Sequence, residues 1–414
     1  MSEWRKMRLG DVCAKIGSGA TPLGGSSVYR EEGIALIRSQ NVYNDGFRRD
    51  GLAFITDDHA NDLSNVEVKA RDVLLNITGD SVARVCQVPH DVLPARVNQH
   101  VAIIRPRAGV LDPRFLRYHL SSPGMRNYML ALAAAGATRN ALTKGMIENF
   151  HIATPPLSEQ RAIASVLGGL DDKIDLNRRI NESLEAMAQA VFKSWFADAT
   201  QDGLPKGRRE TPLSQAIEVN PPRSLRKAEV APYLDMANMP TRSARALEVC
   251  DREFGSGTRF MDGDTLVARI TPCLENGKTC FVDFLGDGKV GWGSTEYVVL
   301  RPKPPLPPEF AYFLARTDHF RAFAISNMTG TSGRQRVPAE CLKDFAVAVP
   351  PAELAERFGQ FARATFAQMR AHDNESRTLA ALRDVLLPKL VSGELRMPPT
   401  GEGKMKDSPF SRKC

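Results

Sequence analysis

The sequence predicts a mixed α/β (α+β) protein in which two similar globular domains are separated by two long antiparallel coiled-coil helices. The first observation is a seven-residue apolar repeat, which runs through residues 158–196 and again through residues 352–387. The second is a tandem duplication, because the segments before the two repeats carry the same motifs roughly 195 residues apart. Together they predict a pseudo-two-fold repeat of one unit, a globular domain followed by a long helix.

Composition limits the class of protein. The chain has 414 residues, of which 43% are hydrophobic and 25% charged, and this length suffices for two or three domains. No apolar run reaches the length of a membrane span, and the sequence opens without an apolar signal segment, which predicts a cytoplasmic protein. Seven cysteines without a C-x-x-C pair indicate reduced thiols. The net charge of +7 permits binding to nucleic-acid phosphates, although many proteins without such a partner share it.

The domain layout follows from these patterns. We predict a first globular domain at 1–155, a central spacer helix at 156–200, a second globular domain at 201–350, a C-terminal spacer helix at 351–396 and a disordered tail at 397–414. In the first domain, β-branched runs bounded by Gly, Asp or Pro predict strands at Leu9–Ile16, Ile34–Ile37, Val73–Thr78, Val82–Val88 and Val101–Arg105. Helical patterns follow at 113–120 and 125–135.

Four pairs of segments carry the duplication: Asp72–Thr78 with Asp264–Thr271, Val101–Pro106 with Tyr297–Pro302, Pro113–Tyr118 with Pro308–Phe313, and Asn149–Pro156 with Asp344–Pro351. Each copy leads through a Pro-Pro pair into a long helix. The second domain is therefore expected to repeat the fold of the first.

Each long helix is apolar at its ends and polar in the middle, so an antiparallel pairing places polar residues against polar residues. We predict that Asn177 and Asn181 of the first helix meet Gln368 and His372 of the second and fix the register of the pair. The glycine pair at 168–169 predicts a kink or a frayed turn in the first helix. Two surface helices, each packed on its own domain, are the alternative.

The sequence carries no recognisable catalytic motif. Asn220-Pro-Pro-Arg223 resembles the Asn-Pro-Pro-aromatic loop of adenine amino-methyltransferases, but an arginine stands in the aromatic position, so we interpret it as a proline-stiffened turn. The glycine-rich segment at 17–25 lacks the Gly-Lys-Ser/Thr ending of a nucleotide-binding loop. The seven histidines show no metal-ligand spacing with cysteine or carboxylate. We therefore predict no catalytic residue, no metal site and no cofactor bound by this chain.

Polar and basic residues cluster at corresponding places in both domains, and these residue types suit phosphates and base edges. The DNA-binding residues predicted in the first domain are Ser18, Thr21, Arg38, Gln40, Asn41, Arg84, Asn98, Gln99, His100, Thr138, Arg139, Asn140 and Lys144. Those predicted in the second domain are Arg242, Arg245, Arg269, Ser294, Thr295, Thr331, Ser332, Arg334, Gln335 and Arg336.

Four motifs, in this order, resemble the specificity subunit of type I restriction-modification systems. They are Ile16-Gly-Ser-Gly-Ala-Thr-Pro22, Pro155-Pro-Leu-Ser-Glu-Gln-Arg161, Phe192-Lys-Ser-Trp-Phe196 and Leu386-Leu-Pro-Lys-Leu-Val-Ser-Gly-Glu-Leu395. The second copy departs from the pattern in one place, because residues 350–356 lack the Ser-Glu-Gln that leads the first helix.

The resemblance implies that each globular domain is a target recognition domain for one half of a bipartite double-stranded DNA site, with the helices setting the spacer. It implies two methyltransferase (modification) subunits as partners, which use S-adenosylmethionine, and restriction/translocase subunits that use ATP and Mg²⁺. Three other functions stay open from the residues alone: a stand-alone DNA adenine methyltransferase, a coiled-coil adaptor without a DNA role, and a phage-type or solitary specificity protein that acts without a modification partner.

Overall fold

The computed structural model describes residues 4–135, 140–197, 209–331 and 333–397. It divides the chain into two compact units. The N-terminal unit consists of Met1–Asp175 and Ser376–Cys414, and the central unit is Leu176–Glu375. Each unit holds one globular domain and a segment of each long helix. No helix within the described ranges combines the length and the apolar character that a membrane crossing requires.

The N-terminal unit is built on two four-stranded sheets. Its main sheet is antiparallel, in the order Cys13–Ser18, Val101–Pro106, Val73–Asn76 and Val85–Gln87. Its second sheet has the order Ala53–Ile55, Ile34–Ile37, Ala95–Val97 and Glu67–Val68, with a parallel pair at its centre. Two strand pairs complete the unit: Arg5–Arg8 with His151–Thr154, and Val42–Tyr43 with Gly46–Phe47.

Short helices connect these strands. They are Leu9–Val12, Asp57–Asp62, Pro113–Ser121, Pro123–Ala134 and Lys144–Glu148, with 3-10 turns at Gly25–Val28, Ser39–Asn41, Ser64–Val66, Gly79–Ser81 and His90–Val92. Asp112 caps one of them, because its carboxylate accepts hydrogen bonds from the backbone N–H of Arg114 and Phe115 at 2.9 and 3.1 Å. The predicted strand at 9–16 was wrong at its start, because residues Leu9–Val12 form one helical turn. This turn buries both Leu9 and Val12 completely.

The central unit repeats this topology, which confirms the predicted duplication. Its main sheet has the order Ile217–Val219, Tyr297–Pro302, Thr265–Ala268 and Thr279–Phe281, and its second sheet the order Cys250–Glu253, Val230–Leu234, Val290–Gly293 and Thr258–Met261. Arg209–Pro212 pairs with Ala346–Val349. The helices of this domain are Leu213–Ala216, Phe310–Ala315, Asp318–Ser326 and Ala339–Leu342.

A buried aspartate at the start of one main-sheet strand explains part of the repeated motif. Asp72 is 1% exposed and binds Arg105 through two hydrogen bonds of 2.7 Å. Asp264 is fully buried and binds Arg301 at 2.8 Å and Arg223 at 3.2 Å. Arg223 therefore has a structural partner, which agrees with the interpretation of residues 220–223 as a turn.

The two long helices are continuous. The first is Leu157–Phe192, 36 residues, and it ends in a π-helical turn at Lys193–Ala197. The second is Ala352–Ser392, 41 residues, so it extends beyond the apolar repeat that ends at residue 387. The helix continues past Pro388 because Leu390 and Val391 on its next turn are buried in the core of the N-terminal unit.

The glycine pair does not interrupt the first long helix. Gly168 lies against Arg114, and a Cβ atom there would come within 2.3 Å of the guanidinium carbon. The same guanidinium donates a hydrogen bond of 3.1 Å to the carbonyl oxygen of Gly168. The predicted kink was wrong, because the glycine serves a close side-chain approach and packing offsets its low helix propensity.

Within the N-terminal unit the two helices run antiparallel, and Asp171 joins them to the globular domain. Its carboxylate accepts hydrogen bonds from Arg117 at 2.5 Å, from Tyr118 at 2.6 Å and from Arg383 of the second helix at 2.8 Å. Near one end of the helix pair, the Glu159 carboxylate accepts hydrogen bonds from the Arg396 guanidinium at 2.7 and 2.9 Å.

Within the central unit the helices are also antiparallel and meet through polar residues. Asn177 is fully buried and donates to Glu375 at 2.8 Å. Asn181 donates to Asp373 at 3.0 Å, and its carbonyl oxygen lies 2.8 Å from Nδ1 of His372. The structure thus brings Asn177, Asn181 and His372 together, and their role in fixing the register stays a prediction.

Gln368 is exposed, contrary to its predicted place in the seam, and the neighbouring Met369 is fully buried instead. The seam has moved by one residue because a helix with 3.6 residues per turn drifts against a seven-residue repeat. Gln368 remains within 3.3 Å of the His372 ring.

Replacement of Asp171 by asparagine should destabilise the N-terminal unit by about 2 kcal/mol, because two arginines lose a buried counter-charge. Burial raises the pKa of Asp171, but Arg117, Tyr118 and Arg383 outweigh it and lower the pKa below its usual range. Because the folded carboxyl has the lower pKa, its contribution is present at neutral pH. It is lost as the pH falls below about 4, where the unfolded carboxyl protonates. Urea unfolding of both proteins from pH 7 to pH 3 measures this difference.

Asp172→Asn is the matched control, because its carboxylate is 66% exposed and should contribute less than about 0.5 kcal/mol. Trp4 is a fluorophore of the N-terminal unit, and it can be followed alone when Trp195 and Trp292 are replaced by phenylalanine. Equal midpoints for Asp171→Asn and Asp172→Asn at pH 7 would contradict the expected role of Asp171.

The polar helix contact gives a second prediction. Asn181→Leu should lower the free energy of unfolding of the central unit by about 1–3 kcal/mol, because Asp373 and His372 each lose a hydrogen-bond partner. Ser183→Ala on the same helix removes an exposed hydroxyl and should change stability by less than about 0.5 kcal/mol. Thermal unfolding that does not separate the two variants would show that the contact is incidental.

Candidate nucleic-acid interface

One end of the main sheet in the N-terminal unit gathers most of the predicted polar residues. Because neighbouring strands are antiparallel, the end of one strand lies beside the start of the next. The register pairs Ser18 with Ala102, Asn76 with Val101, and Leu75 with Val85. We call this end of the sheet the N-terminal edge.

A three-residue turn forms the middle of the N-terminal edge. The backbone N–H of His100 donates to the Asn98 side chain at 3.1 Å, and this bond shapes the turn. Gln99 at its tip is exposed and contacts the Thr21 hydroxyl. The ring of His100 lies 2.7 Å from the hydroxyl of Thr78. Amide, hydroxyl and imidazole groups, which can donate to or accept from base edges, therefore lie side by side.

The second sheet ends at the same place. The backbone N–H of Asn98 donates to the carbonyl of Ile37 at 3.0 Å, so the strand end that carries Arg38 adjoins the turn. Arg38 lies over the Tyr29 ring at 5.2 Å and binds the Gly51 carbonyl. Gln40 is exposed and donates to the same carbonyl at 3.0 Å.

The glycine-rich segment has a structural role at the N-terminal edge. A Cβ atom on Gly19 would lie 1.9 Å from the carbonyl oxygen of Val97. Glycine therefore allows the chain to pass directly over the second sheet, with Ser18 exposed before it. This close approach accounts for the motif without a phosphate-binding role.

The remaining predictions in this unit have mixed outcomes. Asn140 is exposed and lies at the N-terminal edge, because its carbonyl accepts from Gly79 at 3.1 Å. Arg84 is partly buried and stacks over Tyr43 at 4.4 Å. Lys144 begins a helix that leads away from the edge and is paired with Glu148 at 3.5 Å. Thr138 and Arg139 lie outside the described residues.

Asn41 does not belong to this surface. It is fully buried, and its amide nitrogen donates to the carbonyls of Arg48 and Asp50 at 2.9 and 3.4 Å. Its oxygen accepts from the backbone of Arg38 at 3.0 Å. The side chain holds a loop in place, and we exclude it from the interface.

The main sheet of the central unit has an equivalent end, the central edge. Here Val219 pairs with Leu300, Ala268 with Tyr297, and Val267 with Thr279. The predicted residues at or beside this end are Arg269, Ser294, Thr295, Gln335 and Arg336. Thr331 and Arg334 are exposed in the turn that precedes Gln335, and Ser332 lies outside the described residues.

The same framework forms both edges. Ser294 accepts from the backbone of Glu296 at 3.1 Å, as Asn98 does from His100. The carbonyl of Gln335 accepts from Thr271 at 3.0 Å, as that of Asn140 does from Gly79. A carboxamide side chain therefore occupies the same position at each edge.

The prediction that Arg245 binds DNA is wrong. Its side chain is 10% exposed and is bound by Asp283 and, at 2.8 Å, by Asp373 of the second long helix. Two carboxylates neutralise the guanidinium, so this arginine ties the domain to the helix instead of offering a charge to DNA. Arg242 is exposed beside strand Thr279–Phe281, on the segment between Pro240 and Ala244, and not at the strand ends.

Sequence reasoning missed two residues of the edges. Thr78 supports His100, and Glu296 binds Arg336 through contacts of 2.8 to 2.9 Å. A carboxylate repels phosphate, so the residue type alone does not indicate a place for Glu296 at a DNA-binding edge. Its position directly after Thr295, matching that of His100 after Gln99, was the available signal.

The cavity described in the N-terminal unit lies apart from the predicted DNA-binding residues. It has a volume of about 540 Å³ and is lined by His119, Tyr128, His151 and Pro388, none of which is a predicted DNA-binding residue. Burial lowers the pKa of His119 to about 4, so this imidazole is neutral at pH 7. Among the residues that the structure describes, no group of three or more His, Cys, Asp or Glu side chains could hold a metal ion.

Comparison with known proteins shows which domain the N-terminal part of the chain resembles. A family model described as the type I restriction modification DNA specificity domain matches residues 1–186. Residues 1–186, somewhat less than half of the chain, are therefore similar to this specificity domain. The chain is 27% identical over 239 residues to the HindI specificity subunit of Haemophilus influenzae, covering 54% of this chain and 50% of that protein. The chain thus matches half the length of that relative.

Two further similar proteins extend the comparison. The MjaIX specificity subunit of Methanocaldococcus jannaschii is 24% identical over 73% of this chain and 74% of its own. A crystal structure of the type I restriction-modification S subunit from M. genitalium aligns over 94% of this chain and 96% of that one. Its TM-score is 0.57 at 14% identity, which supports the fold.

The N-terminal edge gives a testable electrostatic prediction about DNA binding. Arg84→Ala should weaken DNA binding similarly for all sequences and reduce the slope of log K against log salt by about 1, because one phosphate contact is lost. Arg107→Ala removes the same charge at the opposite end of the main sheet, beside Cys13, and should leave the slope unchanged. Fluorescence anisotropy titrations across a salt series provide the measurement. Equal slopes for the two variants would place Arg84 away from DNA.

Proposed function

We propose that this chain is the DNA sequence-recognition subunit of a type I restriction-modification complex. The N-terminal edge contacts one half of a bipartite site in double-stranded DNA, and the central edge contacts the other half. The observation that carries the proposal is the occurrence of two equivalent edges on one repeated topology, each lined with amide, hydroxyl and basic side chains. A duplicated framework of this kind suits two separate half-sites.

The side chains at each edge supply the chemistry that recognition requires. Asn, Gln, Ser and Thr side chains can hydrogen-bond to base edges in the major groove, and arginine can bind a guanine or a phosphate. The edges differ in their exposed or partly buried side chains: Gln99, His100 and Asn140 at one, and Thr295, Gln335 and Arg336 at the other. Two different half-site sequences are therefore expected.

The two long helices are proposed to set the spacer between the half-sites and to bind two methyltransferase (modification) subunits. At a rise of 1.5 Å per residue, 36 and 41 residues correspond to lengths of about 54 and 62 Å. A length fixed by continuous helix is the physical basis for a defined spacer. The buried polar contacts between the helices support this role, because they favour one register over others.

We also propose that the chain is non-catalytic and works in the cytoplasm. Adenine N6 methylation with S-adenosylmethionine belongs to the modification subunits, and ATP- and Mg²⁺-dependent translocation and cleavage to restriction/translocase subunits. The support is the name of the relatives, which are specificity subunits. No observation favours a stand-alone methyltransferase or a coiled-coil adaptor over this function.

Methylation mapping tests the proposal. The full chain is co-expressed with its modification subunits, and modified adenines in the host DNA are located by single-molecule sequencing. The wild-type pattern should be a bipartite motif. Gln99→Ala should relax one half of the motif and Thr295→Ala the other, because these residues occupy the same turn position in different units.

Arg107→Ala serves as the control and should leave the motif unchanged, because this residue lies at the opposite end of the main sheet. If both turn variants relax the same half, or if neither changes the motif, the assignment of one edge to each half-site fails. S-adenosylmethionine binding by the chain alone would favour the stand-alone methyltransferase.

A further inference from the structure

Arg336 is held by its backbone on both sides. Its backbone exchanges two hydrogen bonds of 2.9 Å with Thr329, one in each direction. On the other side it forms a bridge with Ile270, next to bonds between Thr271 and Gln335 and between Val337 and Arg269. The residue thus extends the main sheet at the central edge, and its Cα position is fixed.

The guanidinium of Arg336 is fixed as well. Its Nε and Nη2 donate to the carboxylate of Glu296 at 2.9 and 2.8 Å, and its Nη1 donates to the carbonyl of Arg334 at 3.2 Å. Both nitrogens at the tip of the fork, Nη1 and Nη2, carry a second hydrogen beyond these contacts. The side chain is 42% exposed, so an external group can approach that tip.

The fold does not require this ion pair. In the N-terminal unit, Leu142 donates to Ile77 and Gly79 donates to Asn140, which are the same backbone bonds that flank Arg336. The residue between them is Ala141, and His100 occupies the position of Glu296. An alanine at the equivalent position shows that the sheet end forms without an arginine or a carboxylate.

An arginine guanidinium held in one orientation, with two N–H groups available side by side, is complementary to one base. Guanine presents its O6 and N7 acceptors side by side in the major groove, and a bidentate arginine is the commonest specific contact to them. Holding the fork beforehand reduces the conformational entropy lost on binding. Because both oxygens of Glu296 are engaged by Arg336, the carboxylate is directed at the arginine and not at a base.

We propose that Arg336, oriented by Glu296, recognises one guanine in the half-site contacted by the central edge. The inference rests on the proposed function of this edge and adds the base and the two residues that select it. Arg334, which is exposed beside it, is assigned a contact with the DNA backbone. No equivalent guanine contact is expected at Ala141 of the N-terminal edge.

The test begins with selection of binding sites from random DNA by the full chain in complex with its modification subunits. Competition binding then compares the selected site with its three single-base variants at each conserved guanine. For the wild type, one guanine should be preferred by about 10- to 100-fold over other bases. Arg336→Ala should abolish this preference, and Arg336→Gln should shift it towards adenine, with the other half-site unchanged in both.

Arg334→Ala is the matched control, and it should lower the affinity for all sequences by a similar factor without changing the guanine preference. Glu296→Gln keeps one acceptor oxygen and should reduce the preference by less than Arg336→Ala does. If Arg336→Ala retains every base preference of the wild type, or if the selected half-site contains no conserved guanine, the inference is overturned while recognition by this edge stands. If the wild-type complex selects no sequence at all, the proposed function itself fails.

Discussion

An equivalent backbone hydrogen bond in each unit determines where the turn residues of its edge lie. In the N-terminal unit the N–H of Ile77 donates to the carbonyl of His100 at 3.0 Å, and in the central unit Arg269 donates to Glu296 at 2.9 Å. These bonds connect the end of one main-sheet strand to the turn before its neighbour. Every polar side chain of the edges is positioned relative to that connection. Because main-chain atoms make the bond, it does not depend on which side chains the turn carries.

Local patterns in the sequence could predict much of this framework. The duplicated motifs begin with an aspartate because Asp72 and Asp264 are buried and each holds an arginine from the neighbouring strand. The polar centre of the first helix could be predicted because the apolar repeat fails there. Turn residues such as Gln99 and Thr295 could be predicted because they fall between strands, where side chains reach solvent.

Other features depend on partners that are distant in the sequence. Arg245 has the same residue type as a DNA-binding arginine, but Asp283 and Asp373 neutralise it. The side-chain amide of Asn41 is used in hydrogen bonds to the backbone of a loop that folds back over it. The position of Gln368 could not be fixed, because a drift of one residue along a long helix exchanges a buried side for an exposed one. In each case the side-chain type was suitable, and its tertiary environment decided the outcome.

The two edges show that the side chains at equivalent positions can differ while the backbone framework stays the same. At one equivalent position Ala141 and Arg336 differ by a full charge and a long side chain, yet their flanking backbone bonds are the same. At the next, Thr78 forms a hydrogen bond with His100, and Glu296 forms an ion pair with Arg336. A new side chain at one position is therefore held rigidly only if its partner changes with it. A lone arginine at Ala141 would be flexible, would lose more entropy on binding, and would discriminate among bases less well.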